Sequence, residues 1–286
     1  MARIIHLRSI SAGIITQKTA ELVENTALYL RQDILDFYKH ALNKAENKNE
    51  KLVLYSLIQN AKIARDKKLP YCQDTGMEII FCDIGQDVHI INGELESAIQ
   101  EGIRLGSKNA YLRQSIVADP LIRTNTGTNA PGIIHFKIVP GNKIKLSCIA
   151  KGFGCENKGK AVMLNPTANA EDIKEFVISV IKEAGPNACP PFFVGIGIGG
   201  TMDKACELAK RTQLQPLGKR HAKPHLAKLE TEILEKANTL PIGPLGLGGK
   251  LTCLDVKILD YPCHIAGLPV AVNIGCHAVR TGEIEL

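Results

Sequence analysis

Three cysteines lie in the least ordinary stretches of this 286-residue chain. They are Cys72 in LPYCQDTG, Cys189 in ACPP and Cys276 in NIGCH. Glycine, proline or polar residues surround each of them, whereas a cysteine that fills a core usually lies on the apolar face of a helix or strand. These surroundings are typical of a thiolate that a loop holds for chemistry. Because wide stretches of sequence separate the three, the fold must assemble any site that they share.

The chain contains nine cysteines, an odd number, and it begins without the continuous apolar stretch of a secretory signal. Disulfides are therefore not expected, and metal or cluster binding is the better explanation for some of the cysteines. No apolar run reaches the ~18 residues that a membrane span needs. We expect a cytoplasmic protein that has no membrane partner.

Hydrophobic residues make up 45% of the chain and charged residues 22%, which is typical of a globular protein with a proper core. The formal net charge is +6, but the basic residues are spread along the chain. The densest basic cluster, 210–223, is interrupted by Pro216, Leu217 and Gly218. This pattern favours a solvated surface over a nucleic-acid site, so we expect no nucleic-acid partner.

The elements that must position the cysteines alternate between helices and strands. Helical periodicity covers residues 16–67, where a second helix ends before Pro70. We predict further helices at 97–105, 170–184, 202–211 and 224–237, and strands at 78–83, 88–91, 192–198, 251–259 and 269–274.

The turn sequence PGN predicts that 133–139 and 143–150 form a β-hairpin. The interleaving of helices and strands predicts an α/β, mixed α+β fold. In that fold a helical N-terminal part, about 1–68, precedes mixed-sheet segments interleaved with helices. The chain has no internal repeat and no low-complexity linker, so we expect a single domain over 1–286.

Two glycine-rich segments resemble phosphate-binding loops. GIGIGG at 195–200 matches G-x-G-x-x-G, but the acidic residue expected about 20 positions further on is missing. A tight strand-to-helix turn, whose free amides could hold a carboxylate, is the alternative. GPLGLGGK at 243–250 has the wrong glycine spacing for an ATP site, and Leu251 stands where Ser or Thr would bind magnesium. So many glycines in one segment still predict that its backbone packs closely against a neighbouring group.

Several polar segments allow two interpretations. The loops 123–129 and 151–157 are glycine-punctuated, which suits surface turns and equally suits a pocket for a dicarboxylate. His264 lies in YPCHIAG, where proline and glycine mark a turn or the start of a strand. Asp74 could simply cap a turn. The residues alone therefore give neither side chain a catalytic role.

Together these segments resemble the α subunit of the iron–sulfur hydro-lyases, namely class I fumarate hydratase and its relative L-tartrate dehydratase. The matching stretches occur in order and are CQDTG at 72–76, NTG at 125–127, KGFG at 151–154, CPP at 189–191, GIGIGGT at 195–201, GPLGLGGK at 243–250 and the segment 264–276. The combination is specific, although no single stretch is. The resemblance implies the fold of the N-terminal domain of class I fumarases.

The resemblance implies that Cys72, Cys189 and Cys276 ligate one [4Fe-4S] cluster, which leaves one iron without a cysteine ligand. An open metal position distinguishes a catalytic site from a closed structural one, and here it would act as a Lewis acid on the substrate hydroxyl and carboxylate. The resemblance also implies that Asp74 protonates the departing hydroxyl.

The groups that hold the substrate carboxylates are implied in the same way. By resemblance, these groups are Gln73, Arg113, the amide of Gly154 and His264. Arg104 and Arg123 lie near Arg113 in sequence, so the identity of the arginine stays open.

The chain departs from the family in several places. Cys155 and Cys263 stand where Ser and Thr are expected, and Thr128 stands where an acidic residue is common. Single-chain members continue into a second domain, whereas this sequence stops at Leu286. The resemblance therefore implies a separate β subunit, an α subunit that is inactive alone, and a heterotetramer of two α and two β subunits.

The activity expected first is the interconversion of (S)-malate with fumarate and water. The alternative within the class is L(+)-tartrate dehydratase, which converts tartrate to oxaloacetate. A hypothesis of a different class is a cluster-binding redox sensor without catalysis, which would not need Asp74. A zinc protein lacks support because the chain has no close C-x-x-C pair.

Overall fold

The computed structural model describes residues 7–286, and the part of the predicted helical start that falls on residues 1–6 lies outside the described residues. Helices and strands interleave along the described chain, which confirms the mixed α/β prediction. The α-helices are α1 Ala12–Leu28, α2 Gln32–Lys44, α3 Lys48–Lys67, α4 Leu95–Asn109, α5 Phe153–Glu156, α6 Ala170–Ala184, α7 Met202–Arg211 and α8 Pro224–Asn238. The strands are β1 Arg8–Ser11, β2 Met77–Gly85, β3 Val88–Ile91, β4 Ile133–Val139, β5 Ile144–Lys151, β6 Lys160–Leu164, β7 Phe192–Gly199, β8 Cys253–Tyr261, β9 Leu268–Gly275 and β10 Thr281–Glu285.

The described chain divides into two compact units. The first comprises residues 7–31, Lys62–Lys151 and Arg280–Leu286, and the second comprises Gln32–Ala61 and Gly152–Val279. Each unit is thus assembled from segments that are distant in sequence. The single domain expected over 1–286 stays a prediction.

The first unit is built on a four-stranded sheet in the order β10-β5-β2-β4. Helices α1 and α4 pack on one face of this sheet, and their apolar side chains share a core with Ile80, Leu146 and Cys148. Strands β1 and β3 form a separate parallel pair. Strand β2 is buried along most of its length, as expected of a central strand.

The predicted β-hairpin of 133–139 and 143–150 is wrong. Strand β2 lies between β4 and β5, parallel to β4 and antiparallel to β5. The PGN sequence does form a turn, but the turn passes around the end of β2, where Asp87 N–H donates to the Gly141 carbonyl at 2.9 Å. A Cβ on Gly85 would lie 2.3 Å from that carbonyl oxygen, so the close passage requires glycine in β2. Strand β2, which comes from a segment distant from the turn, lies between the two strands, and local turn chemistry cannot reveal this.

The predicted helical stretch 16–67 is three helices. Helix α1 ends at Tyr29, whose backbone is extended with φ −116° and ψ 115°. Helix α3 has its own start signal, because the Asn47 Oδ1 accepts the backbone N–H groups of Asn49 and Glu50. Strands β1, β6 and β10, of four or five residues each, were not predicted.

The second unit is built on a sheet in the order β6-β9-β7-β8, with β7 parallel to β8 and antiparallel to β9. Helices α6 and α8 cover one face and share its apolar core, while α7 contacts β7 and β9. A Cβ on Gly195 would lie 2.3 Å from the Ala209 carbonyl oxygen, and one on Gly197 would lie 1.9 Å from that of Ala205. The glycines of GIGIGG therefore allow α7 to pack directly on β7, and the tight strand-to-helix turn is confirmed.

Acidic partners neutralise much of the basic cluster 210–223. Lys210 pairs with Glu156, Lys223 pairs with Asp260, and Arg220 pairs with the buried Asp255. Charges held in this way are less available to phosphates, and the absence of a nucleic-acid partner stays a prediction. Among residues 7–286, no helix combines the length and apolar character needed to cross a membrane.

Candidate active site

The loops of Cys189 and Cys276 meet at one end of the sheet in the second unit. Cys189 precedes β7 and Cys276 directly follows β9. Because β7 and β9 are antiparallel neighbours, with Phe193 opposite Gly275, the start of one lies beside the end of the other. The His277 N–H donates to the Cys189 carbonyl at 3.0 Å. The structure thus brings together two of the three cysteines that the sequence singled out.

The Cys189 loop is held in an unusual conformation by its neighbours. Cys189 has a positive φ of 52°, which costs energy for a residue with a Cβ. The Leu245 N–H donates to the Pro190 carbonyl at 2.8 Å. A Cβ on Gly246 would lie 2.2 Å from the Pro186 side chain. The glycine-rich segment 243–250 therefore packs closely against this loop, as its composition predicted.

Polar and apolar contacts also fix the Cys276 turn. The Tyr38 hydroxyl donates to the His277 carbonyl at 2.6 Å, and Tyr38 is fully buried. A Cβ on Gly275 would lie 2.4 Å from the Gln213 amide nitrogen, so the residue before Cys276 must be small. Cys276 itself is partly buried against the core of the unit. Its thiol is thus carried on a turn with little freedom.

Cys72, Gln73 and Asp74 lie in the first unit, on the loop between α3 and β2. The Tyr71 N–H donates to the Ala27 carbonyl at 3.0 Å, which ties the start of this loop to the end of α1. Beyond Asp74, the Thr75 hydroxyl donates to a backbone carbonyl at 2.7 Å. Gln73 is exposed, and Cys72 and Asp74 are partly exposed. The loop is therefore anchored at both ends with its reactive side chains reachable by solvent.

Among the three candidate arginines, the geometry favours Arg113. Its carbonyl is the group that accepts from Thr75, so its backbone is bonded to the loop of Cys72. Arg104 instead pairs with Glu101 in a two-nitrogen ion pair, with Nε–Oε2 at 2.7 Å. Arg123 lies in an exposed turn. Arg113 has an exposed side chain, which is available to an anion.

The polar loop 123–129 lines a cavity within the first unit. The Asn129 side chain accepts from the Ser115 N–H at 2.6 Å and donates to the Arg113 carbonyl at 3.0 Å. The cavity has a volume of about 420 Å³, and its polar lining includes Arg104, Lys108, Gln114, Thr128 and Asn129. Residues 127–129 of the loop border this cavity, whereas 123–125 are exposed at the surface, so both interpretations of the loop stay open.

His264 and Gly154 are exposed residues of the second unit. The His264 Nδ1 accepts the Ala266 N–H at 3.2 Å, so the neutral ring carries its proton on Nε2. That nitrogen is then a donor for an anion. Gly154 belongs to the one-turn helix α5, next to the buried Cys155.

All nine cysteines lie within residues 7–286, and none of them is in a disulfide. They differ in their exposure to solvent. Burial raises the pKa of Cys82 to about 12 and holds the pKa of Cys148 and Cys253 well above its usual range. Such thiols stay protonated and are poor metal ligands. The predicted ligands are all reachable by solvent, as Cys206 and Cys263 also are, so the donor set is compatible with an iron–sulfur cluster. Within the described part of the chain, no group of three or more His, Cys, Asp or Glu side chains is arranged as a metal site.

A buried charged group behind the Cys72 loop was missed from the sequence. Arg280 is 2% exposed, and its Nη2 donates to the Asp74 carbonyl at 2.6 Å. Glu78 is 3% exposed and accepts from the Cys148 thiol at 3.1 Å. Burial raises the pKa of Glu78 to about 7, against the opposing effects of Cys148 and of the Arg280 charge. A signal was present for Glu78, since its charge interrupts the apolar segment GMEIIF.

We predict that Glu78→Gln stabilises the protein at high pH. A folded-state pKa near 7, above the ordinary 4.5, means that ionising Glu78 costs stability as the pH rises through that window. Glutamine cannot ionise and still accepts from Cys148. The variant should therefore unfold at a higher urea concentration at pH 8, by on the order of 1–3 kcal/mol, and match the parent near pH 4.5.

The matched control is Glu283→Gln, which removes an exposed carboxylate on β10. Its effect on the free energy of unfolding should stay within ~0.5 kcal/mol at both pH values. A Glu78→Gln protein that is less stable than the parent at pH 8 would show that the folded state needs the ionised carboxylate.

Comparisons with known proteins agree on one family. A family model described as fumarate hydratase (Fumerase) matches residues 16–285. The chain is 40% identical over 272 residues to the "Putative L(+)-tartrate dehydratase subunit alpha" of Methanocaldococcus jannaschii, covering 93% of this chain and 95% of that protein. It is 31% identical over 275 residues to the L(+)-tartrate dehydratase subunit alpha of Escherichia coli K12, covering 93% and 90% of the two chains.

Proposed function

The chain belongs to the fumarate hydratase family of hydro-lyases, and we propose that it is the α subunit of an enzyme that interconverts (S)-malate with fumarate and water. The observation that carries the proposal is the bond between His277 and Cys189, which joins two solvent-reachable cysteine loops at the end of one sheet. Two cysteines with only a structural role would not need a loop that has a positive φ at Cys189 and packs closely against a glycine-rich segment.

The cofactor in this proposal is a [4Fe-4S] cluster held by Cys72, Cys189 and Cys276. When bound, it supplies an iron without a cysteine ligand, which is a Lewis acid for the substrate hydroxyl and carboxylate. The fit rests on the chemistry of the donor set, because the three thiols are on loops and reachable while Cys82 and Cys253 are buried. All three cysteines also stand in the stretches that resemble the family.

Asp74 is proposed as the general acid of the dehydration. Its carboxyl gives a proton to the hydroxyl that leaves C2 of malate, so that water departs, and it takes a proton from water in the reverse direction. The C3 proton goes to a base that lies on the partner subunit in this proposal. Asp74 suits the role because its side chain is partly exposed while its carbonyl is fixed by Arg280.

The groups proposed to hold the substrate carboxylates are donors. They are Gln73, Arg113, the Gly154 amide and the His264 Nε2. Arg113 can offer two parallel N–H groups to a carboxylate, which fixes orientation as well as charge. The exposure of all four residues is consistent with this role.

The partner in this proposal is a separate β subunit, in a heterotetramer of two α and two β chains. The relatives named above are themselves called subunit alpha, which supports a second chain. We propose that the α chain alone is inactive. The absence of nucleic-acid and membrane partners and the cytoplasmic location stay predictions.

The second candidate function is the dehydration of L(+)-tartrate to oxaloacetate. The names of the relatives favour it, whereas the description of the family model favours fumarate. The two substrates differ by one hydroxyl group, and a pocket built to hydrogen-bond a hydroxyl discriminates strongly against its absence.

Steady-state assays on the α and β subunits reconstituted together decide between the candidates. We expect kcat/KM for (S)-malate to exceed that for L(+)-tartrate by at least ~10-fold, which corresponds to ~1.4 kcal/mol of differential transition-state binding. A large preference for tartrate would replace the first candidate with the second. Turnover of neither substrate would overturn the hydro-lyase proposal for this substrate class.

A further inference from the structure

Arg280 is placed to control the backbone at Asp74. Its Nη2 donates to the Asp74 carbonyl at 2.6 Å, and the whole residue is 2% exposed. A charged donor bonded to a carbonyl in a buried setting makes a stronger hydrogen bond than a neutral pair at the surface. The peptide group between Asp74 and Thr75 is therefore held by one buried guanidinium.

The sheet of the first unit explains how Arg280 reaches this position. The Ala150 N–H donates to the Arg280 carbonyl at 3.0 Å, so Arg280 continues the register of β10 on β5. Ala150 in turn lies opposite Glu78 on β2. Directly opposed residues of neighbouring strands share a face, and the middle residue of this row has only a methyl side chain. The Arg280 side chain can thus extend across β5 on the face that carries Glu78.

Among residues 7–286, two of the three guanidinium nitrogens of Arg280 find no protein acceptor. Within the described residues, the Arg280 Nε and Nη1 are buried and have no hydrogen-bond partner. The Arg280 charge opposes the rise in the pKa of the nearby Glu78, and the Cys148 thiol is bonded to Glu78. An arginine kept in a core with one strong bond is costly to stability, which argues that its position serves something other than stability.

We propose that Arg280 is a positioning residue that fixes the carboxyl of Asp74 for proton transfer. The inference rests on the proposed function, in which Asp74 is the general acid, and goes beyond it because no resemblance assigns a role to Arg280. The guanidinium holds the Asp74 peptide, and the peptide sets the direction of the side chain. Arg280 does not itself touch substrate.

The test compares Arg280→Gln and Arg280→Lys in the reconstituted α and β complex. We expect Arg280→Gln to lower kcat by ~10–100-fold with KM changed less than ~3-fold, because a misplaced catalytic group loses rate rather than binding. Lysine retains a donor and a positive charge, so Arg280→Lys should recover part of the loss. Iron content should equal that of the parent. The matched control is Arg65→Gln, which removes an exposed arginine of the same unit and should leave kcat unchanged.

Hydrogen–deuterium exchange provides a readout that needs no activity. We expect the amides of 72–76 to exchange at least ~10-fold faster in Arg280→Gln than in Arg65→Gln, because loss of the anchor allows local opening. Unchanged exchange in this segment would overturn the inference, whatever the activity. An unchanged kcat, or a fall that merely tracks lost folded protein or lost iron, would also overturn it. A parent complex inactive on malate and on tartrate would instead count against the proposed function, with the exchange result still deciding whether Arg280 anchors the loop.

Discussion

Replacing Cys276 with serine is expected to abolish cluster binding and to lower turnover by ~10³-fold or more. A hydroxyl is a poor ligand for the iron of a cluster, and the loss of a Lewis acid forfeits several kcal/mol of transition-state stabilisation. The fold should survive, because Cys276 is only partly buried and lies on a turn after β9. Iron and sulfide content, the visible absorbance of the cluster and kcat on malate measure the effect.

The control for this substitution is Cys206→Ser. Cys206 is equally partly buried but lies on α7, and its pKa is raised by burial. It should bind iron and turn over malate like the parent. If Cys276→Ser also retained full iron and activity, Cys276 would not be a ligand. If Cys206→Ser lost iron to the same degree, the effect would be one of folding rather than ligation.

Replacing Asp74 with asparagine is expected to lower kcat by ~10²–10⁴-fold while leaving the cluster in place. Asparagine has the same shape, and the anchor from Arg280 goes to the backbone carbonyl, so the loop should keep its conformation. What is lost is the proton that the departing hydroxyl needs. Parallel measurement of kcat, KM and iron content separates this role from a structural one.

Asp66→Asn is the matched control, since Asp66 is an exposed carboxylate of the same unit, paired with Arg65. It should leave kcat within ~2-fold of the parent, as surface substitutions usually do. An Asp74→Asn protein that loses its iron would point to a structural role for Asp74. One that keeps full activity would remove Asp74 from the mechanism.

The sequence predicted the second unit well because its patterns are local and strong. Strand β7 is a continuous apolar run that ends in glycines, and α7 starts directly after it. The amphipathic pattern of Ala170–Ala184 was complete, with an Asn169 capping box at its start. The glycines of 243–250 indicated close packing before Pro186 and the Cys189 loop were known as the neighbours.

The errors lie where distant segments decide the structure. The order β4-β2-β5 depends on the insertion of β2 between the two other strands, whereas the PGN turn is compatible with either arrangement. The strand β10 is five residues long, and its position at the edge of the sheet is determined by pairing with β5. Arg280 could not be linked to Asp74 from sequence, because their contact depends on the pairing of β10 with β5 and of β5 with β2.

The most direct test of the proposed function is iron and sulfide counting after strictly anaerobic reconstitution of the purified chain, followed by a malate assay with and without the β partner. We expect about four irons for each α chain and formation of fumarate only when the partner is present. Bound iron without turnover of malate or tartrate in the complete complex would favour a non-catalytic sensor. A chain that binds no iron under these conditions would contradict the link between the three cysteines and hydro-lyase chemistry.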